Sequence, residues 1–182
     1  MIKNIFLKSN VDIHKGREKA IGMIGYYYQA DDVTVHKLKK GESAGFVFAP
    51  ENEHNLCCID KAWHAIHYTL TGEVWEIPED NILGQLVLGG VPVNDEDMGY
   101  GPMRLLDKGI VSQIVGALEE WDETAFRDKF NLKEMAEMQV YPIMDGEDEE
   151  QFFQYVWENL EALKAFIKDA AQKNQNILTF LG

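Results

Sequence analysis

Between Glu150 and Lys173 apolar side chains recur at Phe152, Phe153, Val156, Trp157, Leu160, Leu163, Phe166, Ile167, Ala170 and Ala171. An i, i+3, i+4 spacing held for that long describes one stripe of an α-helix of about six to seven turns. Such a helix cannot cover its own stripe in water. It must lay it on a sheet or on other helices, and this restricts the architectures open to the chain. A short apolar run, Ile177–Leu181, follows immediately and reads as a strand.

The rest of the chain repeats this alternation. Ile2–Leu7, Gly22–Tyr28 and Met103–Leu106 lean towards strands, and Gln139–Ile143 is short enough to be one. Helices are predicted from the Asp31-Asp32 cap through Leu38, over Asp60–Thr71 up to Gly72, over Asn81–Leu88, and from Asp107 through Leu118. Shorter ones follow at Glu123–Phe130 and Leu132–Met138, while Val91–Pro102 reads as turns. At 182 residues, with no repeat, Pro-rich linker or low-complexity tract, the chain suits one domain. The expectation is a single α/β domain: helices packed on a central mixed sheet in three αβα-like layers, with a long amphipathic C-terminal helix.

Charge narrows the function classes. Seventeen Lys and Arg against 31 Asp and Glu leave a net −14. Phosphate backbones are held by Lys and Arg, so this balance argues against nucleic-acid binding. The acidity is uneven: residues 1–40 carry eight basic and four acidic side chains, and residues 41–182 carry nine and 27, or −18. A surface of that sign accelerates the approach of a basic protein, as an immunity protein captures a basic nuclease. The densest block, Asp145 to Glu150, precedes the long helix and reads as solvated capping residues at its positive end. No apolar run approaches the roughly 18–20 residues of a membrane-spanning helix. The Ile5-Phe6-Leu7 patch is too short for a signal-peptide core. Cys57 and Cys58 are the only cysteines, adjacent and unable to build a disulfide framework, so a reducing cytoplasm is expected.

The helix ending in Gly72 carries the chemistry. On an ideal wheel Trp63, Ile66, Leu70 and Ile59 share the apolar face, and Asp60, His64, His67 and Thr71 share a bordering stripe about 60° wide. Partly buried polar groups there need partners, and three uses are open. The histidines can bond backbone carbonyls at a helix–sheet seam. They can line a ligand or catalytic pocket with Trp63 and Thr71, Asp60 orienting a histidine as acid or base. Or His64 and His67 can bind a metal with Asp60 or Cys58, although i, i+3 is not the i, i+4 spacing of zinc-protease helices. No metal and no cofactor is favoured.

Other candidates are single residues. Arg104 is the only arginine between Arg17 and Arg127 and can pair with a carboxylate or receive an anionic ligand group. Tyr26 and Tyr28 share one strand face, Tyr27 takes the other, and the phenols of the pair can pack in a core or line a polar pocket. Glycine spacing matches neither a dinucleotide nor a phosphate-loop fingerprint, and no Gly-x-Ser-x-Gly elbow occurs.

The helix Asp60, Lys61, Trp63, His67, Leu70, Thr71, Gly72 resembles the signature of the YfbM-like family, small bacterial proteins gathered under domain of unknown function 1877. The same order continues elsewhere: Gly22-Met23-Ile24-Gly25-Tyr26 before it, then Pro102-Met103-Arg104, then Val140-Tyr141-Pro142 ahead of the long helix. The resemblance covers residues 22–182 and leaves 1–21 outside as an extension. It implies one α/β domain with helices against a central sheet, and it brings no activity, substrate or catalytic residue. The two functional readings are therefore a cytoplasmic binding protein for a basic partner, and an enzyme or small-ligand binder using Asp60, His64 and His67 with Arg104.

Overall fold

The computed structural model describes residues 22–143 and 146–182. The expected Ile2–Leu7 strand and the 1–21 extension lie outside the described residues.

Five strands form one sheet: β1 Gly25–Ala30, β2 Leu56–Cys58, β3 Val91–Asp97, β4 Pro102–Leu106 and β5 Asn176–Leu181. Their spatial order is β2-β1-β5-β4-β3. Every neighbouring pair is antiparallel, so the sheet is not mixed as expected. The strand that follows the long helix is the central one, paired over its whole length with β1.

Seven α-helices are described: α1 Asp32–Lys39, α2 Trp63–Thr71, α3 Gly84–Val87, α4 Lys108–Leu118, α5 Glu123–Lys129, α6 Leu132–Glu137 and α7 Glu149–Gln172. Five start at an Asp or Asn whose side chain accepts the N–H three residues on: Asp31 from Thr34, Asp107 from Ile110, Asp122 from Ala125, Asn131 from Glu134 and Asp148 from Gln151. Each cap satisfies one donor that the first helical turn leaves orphaned. The cap and the burial of Val35 and Leu38 hold α1 helical despite its β-branched Val33-Thr34-Val35. Glu149 and Glu150 sit in the first turn of α7, and Glu150 also pairs with Arg127 at 2.7 Å.

The sheet separates two cores. Tyr27, Leu106 and Ile177 face the larger one, built by α2 to α7. Tyr28, Ala30, Met103, Leu105, Leu178 and Phe180 face a smaller one closed by α1 and a 3₁₀ segment, Ala44–Phe48. Alternation along β5 makes the strand buried on both faces. Helical cover on both sides fits the expected three layers, one of them thin.

Several elements differ from expectation. Val91–Asp97 pairs with β4 as an edge strand with a register shift between Pro92 and Asp97, an edge being where proline is tolerated. Gln139–Ile143 makes turns, with Val140 buried and pairing with no strand. The helix expected at Asn81–Leu88 is confined to the single turn of α3.

Candidate functional site

Helix α2 is preceded by a 3₁₀ turn, Asp60–Ala62, and closed by Gly72 at φ 76°, a left-handed end that a side chain would strain. Every residue from Trp63 to Leu70 is buried. The helix is thus sheathed on all sides, and its polar groups must be paired inside the protein.

The pairing is specific. Trp63 Nε1–H donates to the carbonyl of Met23 at 2.9 Å. The His64 ring lies flat on Trp63 (4.7 Å, 7°) and under Trp75 (4.3 Å, 42°). Its Nδ1 accepts the Tyr141 N–H at 3.0 Å, and its Nε2 lies 2.7 Å from the Val74 carbonyl. A backbone N–H can only donate and a carbonyl can only accept, so His64 is the neutral Nε2–H tautomer. His67 Nε2 lies 3.0 Å from the Glu76 carbonyl and must likewise carry its hydrogen, while its Nδ1 is buried without a partner. Thr71 Oγ1 donates to the His67 carbonyl (2.7 Å) and accepts the Glu73 N–H (3.0 Å). Burial pushes the His64 pKa down; for His67 burial, opposed by the Glu76 carbonyl and aided by His64, lowers it to about 4.

His64, His67 and Thr71 therefore share one target, the loop at 73–76, as their common stripe implies. Asp60 does not join them. With φ 46° it stands in the turn before the helix, where the ideal wheel does not apply. Its carboxylate accepts the Tyr155 hydroxyl at 2.9 Å, and that hydroxyl accepts the Lys61 N–H at 3.0 Å. Cys58 Sγ accepts the Asp60 N–H at 3.4 Å. Burial, then the nearby Cys58 and Asp60, raises the Tyr26 phenol to about 12. Burial raises Cys58 and takes Cys57 to about 12, so neither thiol is poised as a thiolate nucleophile.

Arg104 turns to the protein itself: Nε donates to Gly89 O at 2.8 Å and Nη2 to Gly90 O at 2.7 Å. Tyr26 stacks on Phe180 at 5.2 Å and meets Phe48 edge-on, and Tyr28 meets Phe46 edge-on, both on the smaller-core side. Among the described residues no group of three or more His, Cys, Asp or Glu is gathered to hold a metal ion. No described helix is long and apolar enough to cross a membrane.

Sequence reasoning missed Trp75. It is 57% exposed although one side of its ring packs at a tilt against His64. Its segment, residues 73–80, carries Glu73, Glu76, Glu79 and Asp80, all exposed, and no basic residue. Burial and the nearby Glu134 and Glu73 carboxylates raise the Tyr68 phenol, which brings α6 acidity to the same corner. A lone tryptophan inside an acidic run was the available signal.

A sheet with helices on both faces, the larger layer anchored by a sealed Trp/His helix, defines a small α/β domain organised around α2. The family pattern described as Domain of unknown function (DUF1877) matches residues 21–180, and the chain belongs to that family. It is similar to YfbM of Escherichia coli strain K12, 25% identical in a 170-residue alignment that covers 88% of this chain and 99% of that protein. The crystal structure of YfbM from Escherichia coli, a protein of unknown function, superposes with a TM-score of 0.68 at 24% identity. It covers 88% of this chain and 100% of that one.

Proposed function

We propose that this protein is a cytoplasmic binding protein that captures a basic protein partner on the acidic loop bearing Trp75, in the manner of an immunity protein. The observation that carries the reading is Trp75 itself: 57% exposed, backed by a buried histidine, and flanked by four carboxylates with no cation in its segment. Exposed tryptophans dominate binding energy at interfaces, and their ring faces attract Arg and Lys. Elsewhere many acids already have local tasks. Asp31, Asp107, Asp122 and Asp148 cap helices, and Asp32, Glu150, Glu161 and Asp169 pair with cations. The alternative, pocket chemistry on Asp60, His64 and His67 with Arg104, is weakened because each of these side chains has an internal partner.

Isotope-labelled protein titrated with a hexa-arginine peptide tests this. The Trp75 indole and the amides of 73–80 should shift, less so at higher salt, and Trp75→Ala should weaken binding about tenfold, equivalent to about 1.4 kcal/mol. Shifts centred on the outer face of α7, or an affinity indifferent to Trp75→Ala, would show that the peptide sees only general charge.

A further inference from the structure

The loop that presents Trp75 is fastened in an unusual way. Among the described residues, no backbone-to-backbone hydrogen bond is made by residues 73–77. Apart from the packing of Val74 on the larger core, their backbone is tied to the domain by side chains of α2: His64 on the Val74 carbonyl, His67 on the Glu76 carbonyl, and Thr71 on both backbone polar groups of Glu73. Two of the three fasteners are imidazoles, each with one ring nitrogen that carries no hydrogen in this arrangement.

We propose that His64 and His67 form a proton-released latch, so that acidification opens the 73–77 loop and dismantles the Trp75 surface. The latch itself stands on the geometry, and its link to partner capture rests on the binding reading above. A proton added to His64 must go to Nδ1, which then points a hydrogen at the Tyr141 N–H only 3.0 Å away. Two donors then face each other and the His64–Tyr141 hydrogen bond is lost, although Tyr141 keeps its ring contact with Trp63. A proton added to His67 creates a charge at a fully buried position. Facing it are the Glu76 carboxylate on the loop, which favours the charge, and His64 on its own helix, which opposes it. Glu76 is also engaged by the Trp75 N–H at 3.2 Å. Glu134 and Glu73 face Tyr68, the next residue of α2, and the Trp63 indole is committed to Met23. Burial outweighs Glu76, so the closed form resists protonation to about 4, whereas an opened loop exposes a ring of ordinary pKa, 6.5.

Above 6.5 both forms are neutral and the latch is fully effective. As the pH falls from 6.5 to about 4 the open form takes up a proton that the closed form refuses, and the open population rises. Across that window the rise for His67 alone is about two orders of magnitude.

The test follows three signals from pH 7 to 4.5. They are the Overhauser contact between the Trp75 and His64 rings, exchange protection of the Tyr141 amide, and, as reference, protection of the β5 amides. The latch predicts loss of the ring contact and a fall of at least tenfold in Tyr141 protection while β5 is unchanged. His67→Gln keeps a donor for the Glu76 carbonyl but takes no proton, and it should reduce the response. Should that variant not fold, the wild-type ring nitrogens decide: His67 titrating near 6.5 overturns the latch. So does a loss of β5 protection by the same factor, which is global unfolding. The hexa-arginine titration at pH 7 and 4.5 separates the two readings. Loop release with no binding at pH 7 upholds the latch and removes the partner reading; binding at pH 7 with a loop blind to pH does the reverse.

Discussion

Arg104→Met retains most of the side chain's length and removes the two donors that hold the Gly89–Gly90 corner. The guanidinium reaches both carbonyls, at 2.8 and 2.7 Å, from the middle of β4. That corner carries the chain from α3 into the edge strand β3, which pairs with β4 from Val91 onward. Hydrogen bonds from a charged donor are worth about 1.5–3 kcal/mol each. Arg104 is only half-buried, so water can partly replace the lost donors, and the two together should amount to about 2–4 kcal/mol. For a domain of this size about 1 kcal/mol moves the melting temperature by roughly 2–4 °C, so a fall of about 5–15 °C is expected. Urea unfolding followed by far-ultraviolet circular dichroism should show an earlier midpoint and an unaltered slope, since the surface exposed on unfolding barely changes. Arg104→Lys offers one compact donor in place of a fork and should recover about half of the loss. A methionine variant within about 0.5 kcal/mol of wild type would refute the reasoning. The guanidinium would then be spare, and its candidacy as the anchor of an anionic ligand would return.

Three further outcomes follow from single contacts. Asp148→Ala should cost about 1 kcal/mol in urea unfolding through loss of the α7 cap, and Asp148→Asn much less; equal losses would mean charge matters and capping does not. Gly90→Ala should lower stability by about 1–3 kcal/mol, because φ is +77° and the new Cβ would lie 2.7 Å from the Leu105 carbonyl oxygen. Unchanged thermal melting of that variant would contradict the corner geometry. With its thiol raised to about 12, Cys57 should be alkylated by iodoacetamide at pH 8 about three orders of magnitude more slowly than free cysteine, read by peptide mass spectrometry. Rapid, selective labelling of Cys57 would contradict the burial of its thiol.

The sequence was most legible where structure is local. The stripe from Phe152 to Ala171 became α7, and the cap residues Asp31 and Asp107 start α1 and α4 as read. The wheel placed His64, His67 and Thr71 on one side of α2, and all three do meet one loop. Their partners could not be read, because the carbonyls of Val74 and Glu76 carry no side-chain signature. Asp60 was grouped with them only by assuming ideal helix from the first residue, and one left-handed turn sent its carboxylate to Tyr155, 95 positions away in the chain.

Periodicity and capping act within about one turn, so the residues alone determined that a long amphipathic helix must rest on a sheet, that the chain is acidic, and that α2 would be buried along its Trp63 side. Strand partners are chosen by burial and by contacts between residues far apart in the chain. Only the tertiary structure therefore decided that every pairing is antiparallel, that the polar and proline-bearing Val91–Asp97 is an edge strand, and that Trp75 stands outside while its neighbours His64 and His67 are sealed beneath it.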